Sequence, residues 1–170
     1  MNVAIVGVGN ISRTHMEAWK HIPEATVVAV CDIRQEMIDR AVGITGARGY
    51  LDFTQMLDNE RIDILDICLP TYLHADFAVQ AMERGIHVLT EKPLSLYKKD
   101  VARTYEVAQR KNVRFMTAQV LRFWHEYELL REAYQSGKYG PLVSATMTRL
   151  GSTPRSSWDN WMIDEQRSGL

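Results

Sequence analysis

Residues 2–12 read NVAIVGVGNIS, and residues 26–32 read TVVAVCD. The first stretch is a short β-branched run that stops on Gly7, the pattern of a parallel strand buried on both faces. After Gly9 the period changes, and Ile11, His15, Ala18, Trp19 and Ile22 fall on one face of a helix over residues 11–22 that Pro23 ends. Gly7, Gly9 and Ser12 therefore occupy the turn between a strand and a helix in the spacing G-x-G-x-x-G/A, with serine as the small third residue. Each position has a physical reason. Gly7 permits a tight turn, Gly9 lets a pyrophosphate approach the backbone, and a small residue at 12 lets helix and strand pack closely. The phosphates would sit on the helix N-terminus, held by the N–H groups of Asn10 and Ile11. Asp32 closes the second strand 20 residues beyond Ser12, where a carboxylate accepts from the ribose hydroxyls of an adenosine dinucleotide.

Working outward, strands are expected at Thr26–Cys31, around Tyr50, at Ile62–Leu69, Ile86–Thr90 and Val113–Val120. Helices are expected at 34–43 (Met37, Ile38 and Ala41 inward), Phe53–Leu57, 72–84 (His74, Phe77, Ala78, Ala81 and Met82 inward) and 97–111 (Val101, Tyr105 and Ala108 inward). Gly85 suits a left-handed helix cap. Strands alternating with helices require crossovers and a parallel sheet, so residues 1–120 read as a doubly wound α/β domain of the Rossmann type. The pattern then shifts. A helix over His125–Gln135 and an alternating strand over Leu142–Leu150, followed by a Gly/Ser/Thr/Pro/Trp stretch, read as the start of a second, α+β domain over 121–170. That strand would present an unpaired edge, and residues 151–170 would be poorly ordered unless Trp158 and Trp161 are covered.

Ligands of such sheets bind beyond the carboxyl ends of the strands. Two further segments lie on that rim: LPTYLH at 69–74, with Pro70, Thr71 and His74, and TEKP at 90–93. Lys92 could polarise a carbonyl or bond a sugar hydroxyl there, and Glu91 could hold a ribose hydroxyl or tune the lysine. Asp32 disfavours a 2′-phosphate and so favours NAD. Arg34 would accommodate that phosphate if it turns toward it, or is a solvated first-turn residue if it does not, which keeps NADP open.

The formal net charge is −1, with no concentrated basic face, which argues against nucleic acid as a partner. No run of 18 apolar residues is present to span a membrane. Cys31 and Cys68, both in apolar runs and without CxxC or zinc spacing, read as reduced buried thiols, and no metal site is expected. Together these features suggest a cytoplasmic protein.

The segments GVGNIS, ICLPTYLH and HVLTEKPLSL, in this order and spacing, resemble the Gfo/Idh/MocA dehydrogenases. AQVLRFWHEY, YGPLVSATMTRL and SWDNWMIDEQRSG resemble the same family, in a sugar or polyol dehydrogenase branch. The resemblance implies NAD(P)-dependent hydride transfer on a sugar or polyol, homo-oligomers of the whole protein, Lys92 at the substrate near the nicotinamide, and Glu91 beside it. It further implies Pro70 and His74 along the cofactor crevice, and Gln119 and Arg122 where the chain leaves the cofactor domain. His15 matches a frequent family position; for His15 and His74 a packed, hydrogen-bonded role is at least as consistent with the residues as a ligand role. Trp158 and Trp161 would line a sugar pocket or fill a core. His125 departs from the proline this branch more often has. The family pattern continues beyond SWDNWMIDEQRSG with a glycine and then an aspartate and the usual proton-transfer histidine, which implies that these 170 residues bind NAD(H) with little turnover. Two other readings fit the residues: a dinucleotide-sensing regulator of the same fold, and a domain for another adenosine ligand such as S-adenosylmethionine.

Overall fold

The computed structural model describes residues 1–151 and 157–169. Six strands, β1 (Asn2–Val6), β2 (Thr26–Cys31), β3 (Arg48–Tyr50), β4 (Ile64–Ile67), β5 (His87–Thr90) and β6 (Phe115–Thr117), form one sheet in the order β3-β2-β1-β4-β5-β6. Every pairing is parallel. The chain runs outward from β1 to β3 and then returns to the other side of β1. This switch between β1 and β4 opens a crevice at their carboxyl ends, where the Gly7 turn lies.

The helices α1 (Ser12–Lys20), α2 (Gln35–Thr45), α3 (Phe53–Asn59), α4 (His74–Glu83) and α5 (Lys98–Lys111) cover both faces. Strand alternation decides the partners. Val3, Ile5 and Val30 pack with Met16 of α1 and Ile38 and Ala41 of α2. Ala4, Val6, Leu65, Ile67 and Val88 pack with Met56 of α3, Ala78, Ala81 and Met82 of α4, and Val107 and Ala108 of α5. Gly85 takes the left-handed cap, φ 80°.

Two helices turn a different face inward than their apolar residues suggest. On α1 the buried side is Ser12 and Met16 with His15 and Trp19 half-buried, while Ile11 and Ile22 are exposed. On α5 it is Thr104, Val107 and Ala108, while Val101 and Tyr105 face out. Thr104 can be buried because its hydroxyl donates to the Asp100 carbonyl at 2.7 Å.

Beyond β6 the chain makes a 3₁₀ turn (Val120–Phe123) and helix α6 (His125–Gln135), which buries no residue. The expected strand at 142–150 does not form: these residues are exposed and carry no ladder. Alternation alone cannot make a strand without a neighbour to bond, and no described residue pairs with this stretch. Of the 151–170 segment, residues 152–156 and 170 lie outside the described residues. The remainder is not a loose tail: a 3₁₀ turn (Trp158–Ile163) leads into α7 (Glu165–Ser168), which packs on the rim at Thr71–Leu73. No described helix is long and apolar enough to cross a membrane.

The inward face of α4 and the outward face of α5 give a direct test. Met82→Ala, at a site with no exposure, is expected to cost about 2–5 kcal/mol. Tyr105→Ala is expected to stay within about 0.5 kcal/mol. Urea unfolding of the two variants checks the contrast.

Candidate cofactor and active site

Gly7 leaves β1 with φ 82°, and a Cβ there would lie 2.8 Å from the Cys68 carbonyl carbon and the Leu69 nitrogen. The β1 and β4 exits are thus in backbone contact, and only glycine fits both the dihedral and the gap. Gly9 is different. A Cβ on it would meet no protein atom within 4 Å, so its bareness answers to nothing in the chain and leaves room for an incoming group. The Ser12 hydroxyl donates to the Gly9 carbonyl at 2.7 Å and pins the turn. Helix α1 has Ile11 at its N-cap, with no side-chain cap and no acidic residue in its first turn, which keeps its positive end available to an anion.

Asp32, nearly buried, accepts from the Val8 N–H at 3.0 Å through Oδ2 and from the Arg34 N–H and Nε at 3.1 and 3.2 Å through Oδ1. Its carboxylate therefore sits beside the Gly7–Gly9 turn. Oδ2, with a single partner, retains the lone pair a ribose hydroxyl needs. Arg34 is not a solvated residue: its guanidinium turns back on Asp32 and lies 5.7 Å from the centre of the Trp158 ring.

The other wall is fixed by His74, which is buried. Its Nε2 is 2.7 Å from the Leu69 carbonyl and its Nδ1 2.8 Å from the Pro93 carbonyl. The ring thus bridges the 69–74 loop to the Lys92-Pro93 turn, whose peptide bond is cis, and both nitrogens are engaged with the chain. Burial lowers the His74 pKa, against the pull of the Leu69 and Pro93 carbonyls, each of which favours a protonated ring nitrogen. Pro70 starts the 3₁₀ turn Thr71–Leu73, and Thr71 is buried in the same wall.

Beneath the rim lies a cluster the sequence reading left out. Asp66 sits between Leu65 and Ile67 on β4, so its side chain points to the α1 face, fully buried. It accepts from His15 Nδ1 at 2.9 Å and from the Trp19 indole at 2.7 Å. His15 Nε2 reaches Glu91 Oε1 at 3.1 Å, and Glu91 Oε2 accepts the Lys92 N–H at 2.9 Å. Burial opposes charge on His15, but its bonds to Asp66, Cys68 and Glu91 outweigh burial and push its pKa up to about 12. Burial likewise opposes charge on Glu91, and the bonds from His15 and the Lys92 N–H win, lowering its pKa. A carboxylate within an apolar strand, at ILDIC, was the available signal: such a group needs a buried partner. His15, Asp66 and Cys68 place their ligand atoms within 4.8 Å of one another, a set that could grip a metal ion, but His15 and Asp66 are already bonded to each other and Asp66 to Trp19. Cys31 and Cys68 are free, buried thiols, each pushed up to about 12 chiefly by burial.

Glu91 thus turns inward, whereas Lys92, the next residue, is exposed, and no bond of its ammonium to a described residue is found. Gln119 is exposed just past the carboxyl end of β6, its N–H on the Thr117 carbonyl. Asn10 is exposed at the turn. Arg122 lies away from the crevice, at a concavity of about 510 Å³ beside α6.

The sheet order, the bare Gly9, the uncapped helix start and Asp32 define a domain that binds a nicotinamide dinucleotide. The profile of the oxidoreductase family with the NAD-binding Rossmann fold, Gfo/Idh/MocA, matches residues 1–119, and the chain belongs to that family. It is 28% identical over 141 residues to the myo-inositol 2-dehydrogenase of Thermotoga maritima, covering 82% of this chain and 42% of that protein. It is 27% identical over 153 residues to a glycosyl hydrolase family 109 protein of a Shewanella species, covering 84% of this chain and 33% of that protein. Among solved structures, the WlbA dehydrogenase from Chromobacterium violaceum in complex with NADH and UDP-GlcNAcA superposes with a TM-score of 0.79 at 32% identity, over 82% of this chain and 41% of that one. The chain therefore spans less than half the length of these relatives.

Two outcomes follow from the geometry. Gly7→Ala is expected to destabilise the fold by about 2 kcal/mol or more, from the clash and the dihedral together. Gly9→Ala leaves the melting temperature nearly unchanged while weakening NADH binding about tenfold or more, about 1.4 kcal/mol; calorimetry and titration read the two effects separately. The histidines act in opposite directions with pH. His74, with a depressed pKa, favours the fold above the unfolded value near 6.5 and less as pH falls below it. His15, with a raised pKa, contributes fully below 6.5 and loses its contribution as pH climbs toward about 12. Stability of His74→Gln is expected to fall less than wild type on acidification, and that of His15→Gln less on alkalisation, in urea titrations across pH.

Proposed function

We propose that the chain is the cofactor-binding part of an NAD-dependent dehydrogenase that moves hydride between the nicotinamide and a secondary alcohol of a sugar or polyol. The observation that carries this reading is Lys92: an exposed, unengaged ammonium on the same rim as the Gly7–Gly9 turn. The relatives support the substrate class, since their names and ligands are an inositol, a glycosyl group and UDP-GlcNAcA.

The chain's own residues divide the work. The bare backbone at Gly9 and the start of α1 bind the pyrophosphate. Asp32 orients the adenosine ribose. When bound, the nicotinamide supplies the hydride acceptor or donor. Oxidation of the alcohol removes a hydride from carbon and a proton from oxygen. Lys92 holds that oxygen and stabilises the negative charge that develops on it. Asp32 disfavours a 2′-phosphate, while Arg34 beside it leaves NADP as a weaker second cofactor. In the family resemblance the proton goes to a histidine paired with an aspartate beyond the SWDNWMIDEQRSG motif.

Calorimetric titration tests this. NADH is expected to bind one site, with NADPH about tenfold weaker, and Asp32→Ala is expected to narrow the difference between them. Tighter binding of S-adenosylmethionine than of NADH contradicts the reading.

A further inference from the structure

The three bonds from Asp66 through His15 and Glu91 to the Lys92 backbone connect the interior of the sheet to the rim. His15 is the only link in this path that comes from α1, the helix whose start faces the pyrophosphate. Both of its neighbours are carboxylates, which accept and do not donate when ionised, so both ring nitrogens must carry protons to make both bonds. The titratable groups around the ring are the Asp66 carboxylate on β4, the neutral Cys68 thiol just past it, Glu91 just past β5 and Lys92 beyond it. Trp19, on the same helix, adds a neutral donor to Asp66. The raised His15 pKa and lowered Glu91 pKa agree with a charged ring between two carboxylates. One imidazolium against two carboxylates leaves a single net negative charge in the cluster, and each Glu91 oxygen has a partner, Oε1 on His15 and Oε2 on the Lys92 N–H.

We propose that His15 is a positioning residue for Lys92: by holding Glu91 inward, it stops Glu91 from pairing with the Lys92 ammonium and leaves that ammonium free to meet a substrate oxygen. This rests on the hydride-transfer reading above for the purpose of Lys92, though not for the coupling itself. Without the ring, a second negative charge is uncovered next to Lys92, and Glu91 is released to swing toward it. Either change stabilises the ammonium.

The test is the titration of Lys92 in the 170-residue chain, labelled by ¹³C reductive methylation, its resonance assigned by loss in Lys92→Arg. In His15→Gln the Lys92 pKa is expected to rise by roughly half a unit to one unit. A packing role alone would lower the melting temperature and leave the lysine titration where it was. An unchanged Lys92 pKa in a folded His15→Gln protein overturns the proposal. Should that variant not fold, ¹⁵N spectra of the wild-type His15 ring at pH 8 decide: two protonated nitrogens support the proposal, and one bare nitrogen overturns it. NADH titration of the same samples reports on the functional reading separately, since failure of wild type to bind NADH would sink that reading while the lysine shift still measured the coupling.

Discussion

The exit of β1 is the constraint on which the rest of the molecule depends. At Gly7 the backbone takes a left-handed dihedral within van der Waals contact of the Cys68–Leu69 peptide. That contact sets how closely the two strands flanking the switch point can lie at their carboxyl ends. It also aims the following turn, so that Val8 donates to Asp32 and α1 starts over the crevice. A side chain at position 7 would push β1 and β4 apart and lose the turn, the anion-binding helix start and the placement of Asp32 together.

The opposite wall is held by largely buried polar contacts. His74 bridges two backbone carbonyls from separate loops, and His15 bridges two carboxylates from separate strands. Such networks stabilise only when every member is satisfied, and among the described residues no buried side-chain polar atom lacks a partner. Their effect is to fix the Lys92-Pro93 turn from both sides while the Lys92 ammonium stays free. In the sheet order Asp32 follows β2 and Lys92 follows β5, on either side of the switch between β1 and β4.

Much of this was legible in the sequence. β2 at Thr26–Cys31 and α6 at His125–Gln135 have the bounds the pattern implied, because each begins and ends on an unambiguous change of period. The turn residues Gly7, Gly9 and Asp32 were readable because their requirements are local. The inward faces of α1 and α5 were not, since apolarity alone misses a buried Ser12 or Thr104 whose hydroxyl bonds the helix's own turn. The packed, hydrogen-bonded reading of His15 held, but its partner Asp66, far off in sequence, was not legible, since it meets His15 and Trp19 only once β4 lies beneath α1. The strand at 142–150 failed for a plainer reason. Alternation states which face would be buried, but a strand also needs a partner, and no described residue of this chain offers one.

The central claim is that a dinucleotide is held by bare backbone at the start of α1 with Asp32 beside it. Amide NMR of the ¹⁵N-labelled chain during addition of NADH tests it most directly. The account predicts that the largest shifts fall on Val8, Gly9, Ile11 and the Asp32–Arg34 corner, with a second group at Lys92. Shifts confined to α6 or to the 142–150 stretch, with the Gly7–Ile11 turn unmoved at saturating NADH, would contradict it.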